Sequence, residues 1–286
     1  MLGLSFSGGG QSGIAHIGVI KGIQLDGIYI GAVSGSSVGA IMAAAVALDM
    51  PYEALEKIAL NLSKSDLLDI RPNLWNFIKL KVRVILGKFS FQDTAHWSLL
   101  EGERITKILR KIYGDIKISE LIKPIAITAV DVNCGLDVIF TNKPELFKEF
   151  KGLVIDDIPL YLAVRSSIAI PLIYKGVNYK KCYFVDGGLT NNLPVNLASK
   201  LGAKKVISVE VASRPPFDNK VKDILDLGSR LITIAVDNSK YYTNPFIALE
   251  PELPDVSLGD FNETSRLIDG GYKSYLEKRE KILKNY

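Results

Sequence analysis

A chain of 286 residues, 48% hydrophobic and 23% charged, has the material for one large buried core, not for a disordered or fibrous polymer. Its net charge of +4 forms no basic run or stripe, so nucleic acid is not an expected partner, although a mild positive excess suits an anionic membrane surface. The two cysteines, Cys134 and Cys182, offer neither metal-ligand spacing nor a disulfide framework, so a reducing, cytoplasmic compartment is expected.

The chain opens on MLGLSFSGGG, with no positive segment ahead of the apolar residues and three glycines interrupting them, so no signal peptide is expected. Leu2 to Ser7 reads as a short buried strand. Gly8 to Gly13 reads as a glycine loop, and Ile14 to about Leu25 as a helix. A second strand is expected over Ile28 to Val33 and a second helix after Ser37. Residues 27 to 48 carry no charge and are long enough to span a bilayer. The turn SGSSVG cuts that stretch into a short strand and a short helix, so no transmembrane helix is expected there.

Further strands are expected over 125–132, 137–141, 183–185 and 205–211, and a final helix over about 265–281. The strand–loop–helix order at the start predicts an α/β fold. It should be a three-layer sandwich whose mostly parallel central sheet is flanked by helices. One domain fits the whole of 1–286. A cap insertion is expected at about 62–118, where LLDIRPNLWNFIKLKVRVILGKFSF mixes aromatic, aliphatic and basic residues. An ordinary amphipathic insertion packed on the core would read the same way.

Two small-residue segments carry possible chemistry. Ser37 has Gly35 two positions before it and Gly39 two after, between an apolar strand and an apolar helix. A G-x-S-x-G in that context describes a nucleophile elbow. The chain turns so sharply at the serine that flanking side chains would collide, and the hydroxyl is lifted to a helix N-terminus. A plain small-residue turn would give the same letters.

SGGGQSG contains G-x-G-x-x-G as Gly8, Gly10 and Gly13, which raises dinucleotide binding as a rival. That use requires an acidic residue ending the second strand, and none lies between Asp26 and Asp49. A Walker A loop is excluded because no Gly-Lys-Ser/Thr follows. The remaining use is an oxyanion hole, in which backbone N–H groups of consecutive glycines converge on one point.

A serine nucleophile needs a base. The chain has two histidines, His16 and His96, and neither follows the serine in the order that a Ser-Asp-His hydrolase requires. His16 reads as a packed helix residue and His96 as a cap residue. The better candidate is Asp186 in YFVDGGLTNNLPV, straight after an apolar strand and ahead of Gly187 and Gly188. Alone, D-G-G is a turn signal.

Together these segments resemble the patatin-like phospholipase family, serine lipid acyl hydrolases that use a Ser-Asp dyad. LSFSGGGQSGIAHIGVIKGI is similar to its oxyanion block and GAVSGSSVGAIMAA to its G-x-S-x-G block. AVRSSIAIPLIY resembles its serine-to-proline block and YFVDGGLTNNLPV its D-G-G/A block. The resemblance implies Ser37 as nucleophile and Asp186 as its base. The amides of Gly8, Gly9 and Gly10 would form the oxyanion hole, and Gly35 and Gly39 would shape the elbow. It implies a phospholipid or other fatty-acyl ester substrate, peripheral membrane contact, and no metal or other cofactor. Ser12 departs from the pattern, since many members carry Arg or Lys there.

Overall fold

The computed structural model describes residues 1–67, 98–211, 220–221, 224–239, 244–254, 256 and 261–286. The sheet begins with β1 (Leu2–Phe6), buried along its whole length. A 3-10 turn over Gly10–Ile14 leads into α1 (Ala15–Leu25), and β2 (Ala32–Gly35) follows, leading through Ser36 and Ser37 into α2 (Val38–Ala47). Two helices, α3 (Tyr52–Asn61) and α4 (Lys64–Leu67), precede α5 (Glu103–Tyr113). Then come β3 (Ile125–Asp131), β4 (Leu136–Thr141), β5 (Leu153–Ile155) and α6 (Leu160–Ser167). The hairpin of β6 (Val177–Tyr179) and β7 (Cys182–Asp186) is followed by α7 (Val195–Lys200) and β8 (Lys205–Val209). Helix α8 (Ile224–Asn238), β9 (Ile247–Leu249) and α9 (Thr264–Leu283) complete the described elements.

The strand order is β5-β4-β3-β2-β1-β8-β9, with β7 joined to β3 and β6 to β7. Pairing is parallel from β3 through β2, β1 and β8 to β9, and antiparallel where β3 meets β4 and β7. The sheet is therefore mixed and mostly parallel, as expected. Its two faces follow from strand alternation. Leu4, Phe6, Val33, Ile125 and Ile127 join one large core with α1, α2, α6 and α9. Ala32, Ala126 and Val206 join a smaller core with Val195, Leu197, Ala198 and Leu201. Burial on both faces gives these strands their nearly unbroken apolar composition.

The second strand lies later than expected. Ile28 and Ile30 are buried, yet the chain joins the ladder only at Ala32, which pairs with Gly3. Gly27 turns the chain out of α1 at φ +65°, and the Gly31 N–H then meets the Leu2 carbonyl at 2.9 Å. The other early elements fall within a few residues of the expected positions. Of the expected cap at 62–118, residues 68–97 lie outside the described residues, as does His96. The described part includes α5, whose Ile105, Leu109 and Tyr113 are buried in the large core. Among the described residues, no helix is long and apolar enough to cross a membrane.

Candidate active site

The site forms where two strands meet head-on. β2 runs up one edge of β3, pairing Gly35 with Ile127. β7 runs down the same β3, pairing Asp186 with Ala129. The two strand ends thus face each other across a single β3 residue, Thr128. Gly187 turns the chain away there, and a side chain on it would begin 2.4 Å from the Thr128 carbonyl oxygen.

At the end of β2 the chain turns tightly. A side chain at Gly35 would begin 2.2 Å from the Gly39 carbonyl oxygen, and one at Gly39 would begin 2.4 Å from the Phe6 carbonyl oxygen. Gly39 therefore serves the approach of α2 to the end of β1, while Gly35 serves the turn itself. Between them Ser37 adopts φ +52°, ψ −128°, a left-handed conformation costly for a residue with a side chain. Its N–H donates to Ser167 Oγ at 2.9 Å. Its hydroxyl donates to Asp186 Oδ2 at 2.7 Å.

The second oxygen of Asp186, Oδ1, accepts the Gly188 N–H at 2.7 Å. Ser37 and Asp186 are both buried. Burial pushes the Asp186 carboxyl up to about 7, against the opposing pull of the hydrogen bonds from Ser37 and Gly188.

The glycine loop crosses beside this pair. Parallel pairing of Phe6 with Gly35 brings the loops after β1 and β2 out at the same height. A side chain at Gly8 would begin 3.0 Å from Ser37 Cβ. The three expected backbone donors are not equivalent, however. The Gly8 N–H is committed to the Asn192 carbonyl at 3.1 Å. The Gly9 and Gly10 N–H groups have no partner among the described residues, and both glycines border the space around Ser37. Gly13 serves close packing of the loop against α2, where a side chain would begin 2.3 Å from Val38.

Ser37 and Gly10 stand between two chambers. One, of about 160 Å³, is walled by aliphatic side chains of α2, α3 and α5, among them Ile41, Met42, Leu55, Ile105 and Ile108. The other, of about 190 Å³, is bordered by Asp186, Asn192, Thr233, Asp237, Ile232 and Val236. A hydroxyl held between an apolar compartment and one that sets carboxylate, amide and hydroxyl groups among aliphatic side chains can meet an ester whose two ends differ in polarity.

His16 is elsewhere. Its Nε2 lies 3.0 Å from the Ser7 carbonyl, and its ring meets Phe6 edge-on. Full burial lowers its pKa to about 4, which keeps it neutral and structural.

Three residues near the pair gave no sequence signal of their own. Ser167 ends α6, Asn192 borders the second chamber with Nδ2 unpartnered among the described residues, and Ser239 follows α8. Ser239 Oγ donates to the Gly188 carbonyl at 2.8 Å and accepts the Asn192 N–H at 3.2 Å, tying α8 to the turn after Asp186. Ser167 and Asn192 fall inside the quoted blocks, but a serine or asparagine there does not announce its long-range partner.

The model of the patatin-like phospholipase family matches residues 4–199, which span both the glycine loop and Asp186. The chain belongs to the patatin-like phospholipase family. Its curated relatives include the neuropathy target esterase sws of Drosophila melanogaster. That protein is 27% identical over 322 residues, covering 98% of this chain and 20% of the relative. The lysophospholipase NTE1 of Candida albicans is 24% identical over 213 residues, covering 74% of this chain and 13% of that protein. The uncharacterized protein YqhO of Bacillus subtilis is 29% identical over 221 residues, covering 73% of this chain and 70% of YqhO. The patatin-like chain thus spans a fifth or less of the fly and yeast relatives and most of the bacterial one.

Proposed function

We propose that this patatin-like protein is a lipid acyl hydrolase of the phospholipase A or carboxylesterase type, with Ser37 as nucleophile and Asp186 as general base. The observation that carries the reading is the 2.7 Å hydrogen bond from Ser37 to a buried carboxylate, between an apolar chamber and one of mixed polar and apolar lining. Two relatives are named as an esterase and a lysophospholipase, which agrees with ester chemistry on lipids.

In this reading the acyl chain enters the aliphatic chamber and the alcohol portion lies in the mixed one, near Asn192 and Thr233. Asp186 takes the hydroxyl proton as Ser37 Oγ bonds to the ester carbonyl carbon. The carbonyl oxygen becomes an oxyanion and is met by the N–H groups of Gly9 and Gly10, with the N-terminus of α2 adding favourable potential. The tetrahedral intermediate collapses, the C–O bond to the alcohol breaks, and Asp186 returns its proton to the leaving alkoxide. Water then enters and gives a proton to Asp186 as its oxygen attacks the acyl-serine. The fatty acid leaves, and Ser37 recovers its proton from Asp186. A carboxyl titrating near 7 suits both directions of transfer at neutral pH. Ile105, Ile108 and Ile112 of α5, within the expected cap, supply part of the wall of the acyl chamber.

Hydrolysis of a fluorogenic fatty-acyl ester by the parent, Ser37→Ala and Asp186→Asn proteins tests the reading. The parent turns over and both variants, folded by circular dichroism, lose at least about a hundredfold in kcat/KM. Turnover that persists in folded Ser37→Ala protein would overturn it. Lipid binding by the parent without hydrolysis would make the protein a binder instead.

A further inference from the structure

A third chamber, of about 270 Å³, lies on the smaller-core side of the sheet, where Ile139, Phe147 and Leu197 line it. Strand alternation builds its floor. Asp137 and Ile139 are two apart on β4 and share a face, and Ile139 pairs across the ladder with Thr128 of β3. Asn196 and Lys200 stand one turn apart on α7 and supply one wall, and Phe147 and Phe150 supply an aromatic one. Thr190 and Asn191, from the turn that begins at Asp186, close the remaining side. Asn191 thus borders this chamber, and Asn192 borders the one beside Ser37.

The polar groups of this lining are left without partners. Thr128 is 3% exposed, and its Oγ1 is buried with no hydrogen bond among the described residues. Asn191 donates from Nδ2 to Asn196 Oδ1 at 3.2 Å, while its own Oδ1 stays buried and unpartnered among the described residues. Asp137 is half-buried, and its carboxylate has neither a hydrogen bond nor an ion pair among the described residues. Lys200, exposed at the rim, holds its ammonium 5.7 Å from the centre of the Phe147 ring and is not paired with Asp137. Buried polar atoms are nearly always paired, so acceptors left open around a cavity mark a place where a ligand supplies donors. Opposite charges that border one cavity without meeting call for a ligand that carries both.

We propose that this chamber binds a free α-amino acid with an aromatic or branched aliphatic side chain. The ammonium of the ligand pairs with the Asp137 carboxylate and has donors left for the unpartnered oxygens of Thr128 and Asn191. Its carboxylate meets Lys200, and its side chain lies against Phe147, Phe150 and Leu197. A simple amine or a simple carboxylate would leave one of the two charges unanswered. The site is separate from Ser37 and does not rest on the hydrolase reading. The two sites share only the turn after Asp186, where a side chain at Gly187 would begin 2.3 Å from Thr128 Oγ1.

Isothermal titration calorimetry on the full chain at pH 7 tests the proposal, with L-phenylalanine, L-leucine, glycine, 2-phenylethylamine and 3-phenylpropionate as probes. L-Phenylalanine and L-leucine bind with a Kd of about 1 mM or tighter. Glycine, which lacks the apolar body, and the two analogues with a single charge bind at least about tenfold more weakly. Asp137→Asn and Lys200→Gln each weaken L-phenylalanine binding by about tenfold. Thr128→Val keeps the shape of the floor, removes the hydroxyl and weakens binding by about threefold or more. Unchanged melting temperatures of the ligand-free Asp137→Asn and Lys200→Gln proteins show that these variants are folded. No binding of either apolar amino acid at about 10 mM overturns the proposal and leaves the chamber a solvent-filled cleft. So does 2-phenylethylamine or 3-phenylpropionate binding as tightly as L-phenylalanine, because one charge would then suffice. Parental affinity in folded Asp137→Asn protein also overturns it, since the ligand would then lie elsewhere. Binding is read without turnover, so a protein that binds L-phenylalanine through Asp137 but hydrolyses no ester keeps this site and loses the hydrolase reading alone.

Discussion

Ser37 and Asp186 touch because β2 and β7 end against each other on the same neighbouring strand, β3, and the 2.7 Å contact closes the gap between them. Any account of the site therefore begins with backbone pairing. The side chains lie at the ends of buried strands in the middle of a sheet, where neither can drift far without disrupting the ladder.

The first prediction concerns pH. Asp186 accepts a proton only when ionised, and burial holds its carboxyl up to about 7. Ester hydrolysis should be full above pH 8 and fall about tenfold per pH unit below 7. A profile of kcat/KM on a soluble ester between pH 5 and 9 checks this, and a flat profile across that range would rule out the assignment of the base.

The same shift has an opposite consequence for stability. The folded state holds the Asp186 proton up to about 7, whereas an unfolded aspartate releases it near 4. Between these values stability falls as pH rises, and above 7 the buried ionised carboxylate costs on the order of 4 kcal/mol. Asp186→Asn, which can still accept the Gly188 N–H, should therefore be inactive yet more stable than the parent at pH 8. Its advantage should disappear near pH 4. Urea denaturation at the two pH values measures the difference; a variant less stable at pH 8 would contradict it.

Ser37 itself carries strain, at φ +52° and ψ −128°. Glycine tolerates that backbone conformation and alanine does not. Ser37→Gly should exceed Ser37→Ala in stability by about 1 kcal/mol, while both lose activity. Thermal unfolding of the two variants decides the point; equal melting temperatures would show that the turn is relaxed.

Ser167 accepts the Ser37 N–H, which would otherwise lie buried without a partner. Ser167→Ala should lower kcat by about tenfold, with KM little changed, by loosening the turn that aims the hydroxyl. Ser167→Thr retains the acceptor oxygen and should restore most of the rate. Loss of KM alone, or no rescue by threonine, would mean that Ser167 does not position Ser37.

What the sequence made legible is local geometry. The spacing Gly35-x-Ser37-x-Gly39 encodes a close approach of backbone atoms, and the structure contains that approach. The apolar runs encode strands buried on two faces. Less legible were features set by distant partners. Ile28 and Ile30 look like strand residues because they are buried, but they lie before the point where β1 offers a free edge. The glycine loop looks like three equal donors, yet the Asn192 carbonyl, reached only through the fold, occupies the Gly8 amide. Leu227, Leu231 and Ile234 of α8 recur at helical spacing in the sequence. Periodicity alone could not say that Leu231 faces outward while Ile232 faces the chamber.

The central claim is that Asp186 activates Ser37, and covalent labelling tests it most directly. The parent, Ser37→Ala and Asp186→Asn proteins would be treated with a fluorophosphonate at pH 8 and mapped by peptide mass spectrometry. The account predicts one adduct, on Ser37 of the parent, absent from Ser37→Ala and formed at least about a hundredfold more slowly in Asp186→Asn. An adduct that forms at the parental rate in Asp186→Asn protein would contradict it.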